Sequence, residues 1–140
     1  MIRVDRLDHL VLTVRDVEAT TAFYRRVLGL DVVTFGEGRK ALAFGQQKIN
    51  LHQHGAEFEP KAARPTQGSG DLCFVTDASP EAVLAHLTAC GVPVLQGPVR
   101  RTGALGPMTS VYFRDPDENL IEVSSYAASG GIQRGGLTRA

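Results

Sequence analysis

Asp115-Pro116-Asp117-Glu118-Asn119-Leu120-Ile121-Glu122-Val123 decides how this chain is read. Its first half is a run of turn-forming residues, and its second half alternates as a strand does. The strand carries one carboxylate, Glu122, between Ile121 and Val123. A charged side chain in that setting is either a solvated edge residue or a residue at work on a metal or substrate. What else the chain places beside Glu122 separates the two.

The totals bound the answer. A chain of 140 residues fits one domain, with 43% hydrophobic and 21% charged residues, a composition for a folded core and against disorder. Fifteen basic and fifteen acidic residues give a net charge of zero, and the basic ones are scattered as short pairs. No nucleic-acid partner is expected from such a balance. No apolar run reaches the roughly 20 residues of a membrane span, and Met1 to Asp5 has no signal-peptide pattern. The expected compartment is the cytoplasm, with Cys73 and Cys90, far apart in apolar contexts, as reduced core thiols.

Working outward, the chain reads as one programme run twice. Leu7 to Val14 alternates as a strand, Asp16 caps a helix, and Thr20, Phe23, Tyr24, Val27 and Leu28 form its buried stripe. Gly29 ends it, because the closing position needs a positive φ. Short strands are expected over 31–35, 40–44 and 48–52, separated by glycine-bearing turns. Residues 55–69 lack periodicity and read as a linker between module one (5–54) and module two (70–126).

The second module restarts with a strand over 71–75 and a Ser79-Pro80 helix start. Val83, Leu84, Leu87 and Cys90 make the stripe, and Gly91 is the stop. A strand is expected to begin over 92–95, followed by a basic, glycine-containing loop from Arg100 to Pro107 and a strand over 110–114. In register, His9 to Gly29 matches Asp71 to Gly91, and Ile49 to His52 matches Ile121 to Ser124. The expected fold is α+β, a duplicated βαβββ unit. Residues 127–140, with Ser129-Gly130-Gly131 and Gly135-Gly136, read as a flexible tail.

Duplication gives the odd polar residues a pattern. His9 and Asp71 fall on the two first strands, and Asn50 and Glu122 fall on the two last strands. His52 shares the face of Asn50, since strand side chains alternate. Imidazole, amide and two carboxylates from four strands make a donor set for a divalent cation, with positions left for a ligand.

Here the chain resembles the vicinal oxygen chelate superfamily, which unites glyoxalases, bleomycin-resistance proteins and dioxygenases. The resemblance lies in Leu7-Asp8-His9-Leu10-Val11-Leu12, in Ala22-Phe23-Tyr24 with Val27-Leu28-Gly29-Leu30, and in Phe113-Arg114-Asp115-Pro116-Asp117 with Asn119-Leu120-Ile121-Glu122. It covers about residues 5 to 126 and is nearest to small bacterial glyoxalase-domain or virulence-associated members. It implies tandem βαβββ modules forming a cup-shaped mixed sheet, with one divalent metal ion at its base (Zn, Ni, Mn, Fe or Mg).

The implied ligands are His9, Asp71 and Glu122, with His52 or Asn50 as the fourth. Asp71 stands where the family often has His, and Asn50 where typical glyoxalase I enzymes have Glu. Glu118 stands where the family turn usually has Gly. Glu122 is then the catalytic base, and Asn50 and Arg101 are candidates to bind substrate. The implied activity is a lyase or isomerase acting on hemithioacetals in a glyoxalase I-like way. The alternatives are an Fe(II) extradiol-type dioxygenase, which needs His52 beside His9 and Glu122, or a non-catalytic drug-binding protein. The implied partners are a small-molecule substrate and a second copy of the chain in a homodimer.

Overall fold

A computed structural model describes residues 1–126 of the chain. The expected tail over 127–140 lies outside the described residues. The chain divides into two units, Met1–Gly70 and a second that begins at Asp71. Both show the expected α+β architecture, a helix on a four-stranded mixed sheet. Among the described residues no helix is long and apolar enough to cross a membrane.

Unit one runs β1 (His9–Val14), α1 (Val17–Leu28), β2 (Asp31–Phe35), β3 (Arg39–Phe44) and β4 (Gln47–Gln53). Its sheet order is β1-β4-β3-β2, with β1 parallel to β4 and the other pairs antiparallel. The Asp16 side chain caps α1 by accepting from the Ala19 N–H, and Gly29 closes it at φ 66°. Thr20, Tyr24 and Val27 on the helix, with Leu42, Ile49 and Leu51 on the strands, are buried. The 3.6-residue stripe of α1 therefore covers the apolar face of the sheet.

Unit two repeats this as β5 (Asp71–Val75), α2 (Pro80–Ala89), β6 (Gln96–Gly103), β7 (Gly106–Arg114) and β8 (Leu120–Ser125). The order β5-β8-β7-β6 and the strand directions are the same. Leu87, Val111, Phe113 and Ile121 are its most buried apolar residues.

Three expectations are corrected. Residues 92–95 form no strand. The Val92 N–H is held by the Leu87 carbonyl at 2.9 Å, Pro93 has no N–H, and pairing starts when the Leu95 N–H reaches the Tyr112 carbonyl. Arg100 to Pro107 is no loop either. Arg100 to Gly103 belong to β6, Gly106 and Pro107 to β7, and Ala104-Leu105 make a tight turn. Because β6 is an edge strand, it tolerates the proline and the exposed arginines that read as loop signals. Cys73, finally, is exposed and not a core thiol, because β5 turns alternate residues outward.

Candidate functional site

The turn before β8 is built on one buried carboxylate. Asp115 Oδ1 accepts from the backbone N–H groups of Asp117 and Asn119, both at 2.9 Å, and Oδ2 accepts from Asn119 Nδ2 at 2.8 Å. Its carbonyl accepts from the Glu118 N–H. Glu118 has φ 68°, the left-handed conformation that favours glycine. The turn fixes where β8 begins, and hence which residues face out. Glu122 is one of these, half-buried between the buried Ile121 and Val123.

The face of unit two that carries Glu122 mixes polar and apolar residues, with Leu120, Val75 and Val99 beside Asp71, Cys73, Ser110 and Ser124. Register places Cys73 and Tyr112 on either side of Glu122, and Asp71 two residues along β5. Glu122 Oε2 accepts from Ser124 Oγ at 3.3 Å, Ser124 Oγ lies 2.6 Å from Ser110 Oγ, and Cys73 Sγ lies 3.2 Å from Ser124 Oγ. Although Cys73 is exposed as a residue, partial desolvation of its Sγ raises the thiol pKa, the bond with Ser124 opposes this, and the Glu122 charge adds to the rise. Arg101 is an exposed residue of β6, donating from Nε to the Tyr112 hydroxyl at 2.9 Å.

The equivalent face of unit one carries His9, Asn50 and His52. In β1 and β4, His9 pairs with Lys48, Val11 with Asn50 and Thr13 with His52. Unit two has the same register, Asp71 with Leu120 and Cys73 with Glu122. His9 and Asn50 thus stand to each other as Asp71 and Glu122 do, one strand across and two residues along. That is a Cα separation of about 8 Å, within reach of side chains meeting at one ion. His52 is two residues further on, about 13 Å along the strands from the position of His9.

His9 is exposed, and its Nδ1 lies 2.8 Å from Asp8 Oδ1. This bond is the main reason the Asp8 carboxyl pKa lies below its ordinary value. A carboxylate on Nδ1 leaves Nε2 as the lone-pair nitrogen, the arrangement that orients metal-binding histidines. Asn50 is buried, and its Oδ1 has no hydrogen-bond partner, an uncommon and costly state. His52 is buried otherwise, with Nε2 3.5 Å from Arg39 Nη2 and its ring edge-on to Phe58 at 5.4 Å. Burial and, next, the Arg39 charge lower its pKa below 6.5, with Glu57 opposing.

Among the described residues, no three His, Cys, Asp or Glu side chains gather as a metal site within reach of one another. Each unit instead supplies two oxygen or nitrogen donors on one face, a donor chemistry that fits a hard or borderline divalent cation. Several neighbours escaped sequence reading: Arg39, Phe58, Tyr112 and the Ser110–Ser124 pair. Alternation on β7 and β8 put the serines and Tyr112 on the face of Glu122, but only pairing across strands makes them neighbours.

A tandem βαβββ fold with this register defines the glyoxalase-like class. The chain belongs to the Glyoxalase/Bleomycin resistance protein/Dioxygenase superfamily, which it matches over residues 6–123. It is 57% identical over 123 residues to the virulence protein STM3117 of Salmonella typhimurium, covering 88% of this chain and 85% of that one. The glyoxalase domain-containing protein RDO1 of Mycosarcoma maydis is 60% identical over 123 residues, covering 88% and 69%. The integron cassette protein VCH_CASS1 from the mobile metagenome of V. cholerae superposes with a TM-score of 0.89. It is 57% identical, with 91% of this chain and 99% of that chain covered. A more distant structure, lactoylglutathione lyase of Agrobacterium tumefaciens, has a TM-score of 0.68 at 26% identity, covering 88% and 95%.

Proposed function

We propose that the chain is a metal-dependent enzyme that chelates two adjacent oxygens of a small substrate, acting on hemithioacetals as a glyoxalase I-like lyase. The observation that carries this reading is the matched register of His9–Asn50 and Asp71–Glu122 on equivalent strands. His9, Asp71 and Glu122 are the proposed ligands, with Asn50 as the fourth donor, because His52 is too far along β4 from His9. A divalent ion bound by them supplies Lewis-acid stabilisation of negative charge on substrate oxygens. The Asp8 carboxylate holds the His9 ring so that Nε2 is the ligating atom. Glu122 is the base that removes the C1 proton and returns it at C2, and Ser124 steadies the carboxylate that does so. The unsatisfied Oδ1 of Asn50 and the distant resemblance to a lactoylglutathione lyase support the same reading.

The dioxygenase alternative loses ground for one reason: it needs His52 beside His9. Homodimerisation is part of the proposal. Met1, Ile2, Val4 and Leu7, all exposed at the start of the chain, supply apolar surface for a second copy.

Metal content of the protein after purification without added metal tests the reading, beside isomerisation of the methylglyoxal–glutathione adduct. The expected result is one bound ion per chain in the wild type, and strong loss of both ion and activity in Glu122→Gln with the fold intact. Wild type without metal, and without added thermal stability from divalent ions, would leave a non-catalytic binding protein as the better reading.

A further inference from the structure

The linker residues do more than connect. With Val11, Thr13 and His52 they line an open cavity of about 540 Å³ within unit one, in the size range of small-ligand sites. Its rim carries two cations, Lys61 and Arg64. Lys61 is paired with Glu59, and no carboxylate pairs with Arg64 among the described residues. Behind His52 stands a third cation. Arg39 lies over the rings of Phe35 and Phe58, at 5.0 and 4.4 Å, and faces His52 Nε2 at 3.5 Å. Its Nε is buried with no hydrogen-bond partner, and no carboxylate pairs with it among the described residues.

Guanidinium groups held in apolar surroundings ordinarily have an acid beside them. The acid whose charge acts on His52 is Glu57, which spends its carboxylate on the backbone N–H groups of Gly55 and of Glu57 itself. Arg39 can only donate, so His52 Nε2 must accept, and the ring proton then sits on Nδ1. That gives a cavity lined by the His52 imidazole, which a guanidinium backs, with two further cations on the rim. Val11, Pro60 and Pro65 offer apolar contact on the same cavity.

We propose that this cavity receives the carboxylate of a small substrate with an apolar body. In it, His52 and Arg64 are direct contacts and Arg39 positions His52. The inference deepens the proposed function by naming a substrate class. It rests on that reading only in assigning the bound molecule as substrate, because carboxylate binding is measurable without metal. The probe is benzoate, with uncharged benzamide as control, titrated by calorimetry into the full chain after dialysis against EDTA. Benzoate should bind at least about tenfold more tightly than benzamide. Arg64→Gln and His52→Gln should each weaken benzoate about tenfold and leave benzamide unchanged, and Arg39→Met should weaken benzoate in the same direction. If His52→Gln fails to fold, Arg64→Gln on the exposed rim still decides. Equal affinity for the two probes, no heat from benzoate, or unchanged benzoate binding in Arg64→Gln would overturn the proposal. Loss of metal binding with benzoate binding retained would instead count against the metal-enzyme reading alone.

Discussion

Replacing Asp115 by alanine tests whether the turn before β8 is held as described. The substitution removes the acceptor for three donors, the Asp117 and Asn119 N–H groups and Asn119 Nδ2. Asn119 is 1% exposed, so water cannot readily replace the carboxylate. Hydrogen bonds to charged groups contribute about 1.5–3 kcal/mol each, and bonds sharing one acceptor do not add fully. The expected loss is about 4 kcal/mol, a large share of the ~5–15 kcal/mol that holds a typical domain. Asp115→Asn keeps Oδ1 for the two backbone donors and sets an amide nitrogen against Asn119, which an amide flip relieves in part. Its loss should be about 1–2 kcal/mol. Urea unfolding followed by far-ultraviolet circular dichroism measures both, since the chain has no Trp to report by fluorescence. A loss under about 1 kcal/mol for Asp115→Ala, or equal losses for the two variants, would refute the account.

Three further outcomes are expected. Glu118→Gly relieves the φ of 68° at some cost in unfolded-chain entropy, and should raise stability by about 0.5 kcal/mol; a fall in the urea midpoint would show that the Glu118 side chain contributes. Because the His52 pKa is lowered by folding, the unfolded chain binds more protons below 6.5, so stability is full above that pH and is lost as pH falls through it. His52→Gln should therefore lose less stability than wild type between about pH 7 and pH 5, read by thermal unfolding at each pH. The Glu122 charge helps hold the Cys73 thiol pKa up, so Glu122→Gln should speed alkylation of Cys73 by iodoacetamide at mildly alkaline pH. An unchanged rate would mean that Glu122 does not face Cys73.

The sequence by itself determined the elements and their repetition. Strand alternation, the Asp16 and Ser79 caps and the glycines at 29 and 91 are local signals, set by the residues' own backbone preferences and by periods of 2 and 3.6. The same signals misled at β6, where Arg100 and Arg101 look like loop residues and are exposed strand residues at the edge of the sheet. Local signals also placed His9, Asn50, Asp71 and Glu122 on equivalent strands. Which residues stand across from one another was decided by the tertiary structure, because parallel pairing of β1 with β4 and of β5 with β8 joins segments some forty to fifty residues apart. That register sets Asn50 two residues, and His52 four, along β4 from Lys48, the residue that pairs with His9. It also brought Cys73, Ser124 and Ser110 to Glu122. The linker folding over the sheet, which no periodicity announces, put Phe58 against Arg39 and His52. Burial of the Arg39 Nε without a hydrogen-bond partner is a property of the folded chain alone, and no local signal announces it.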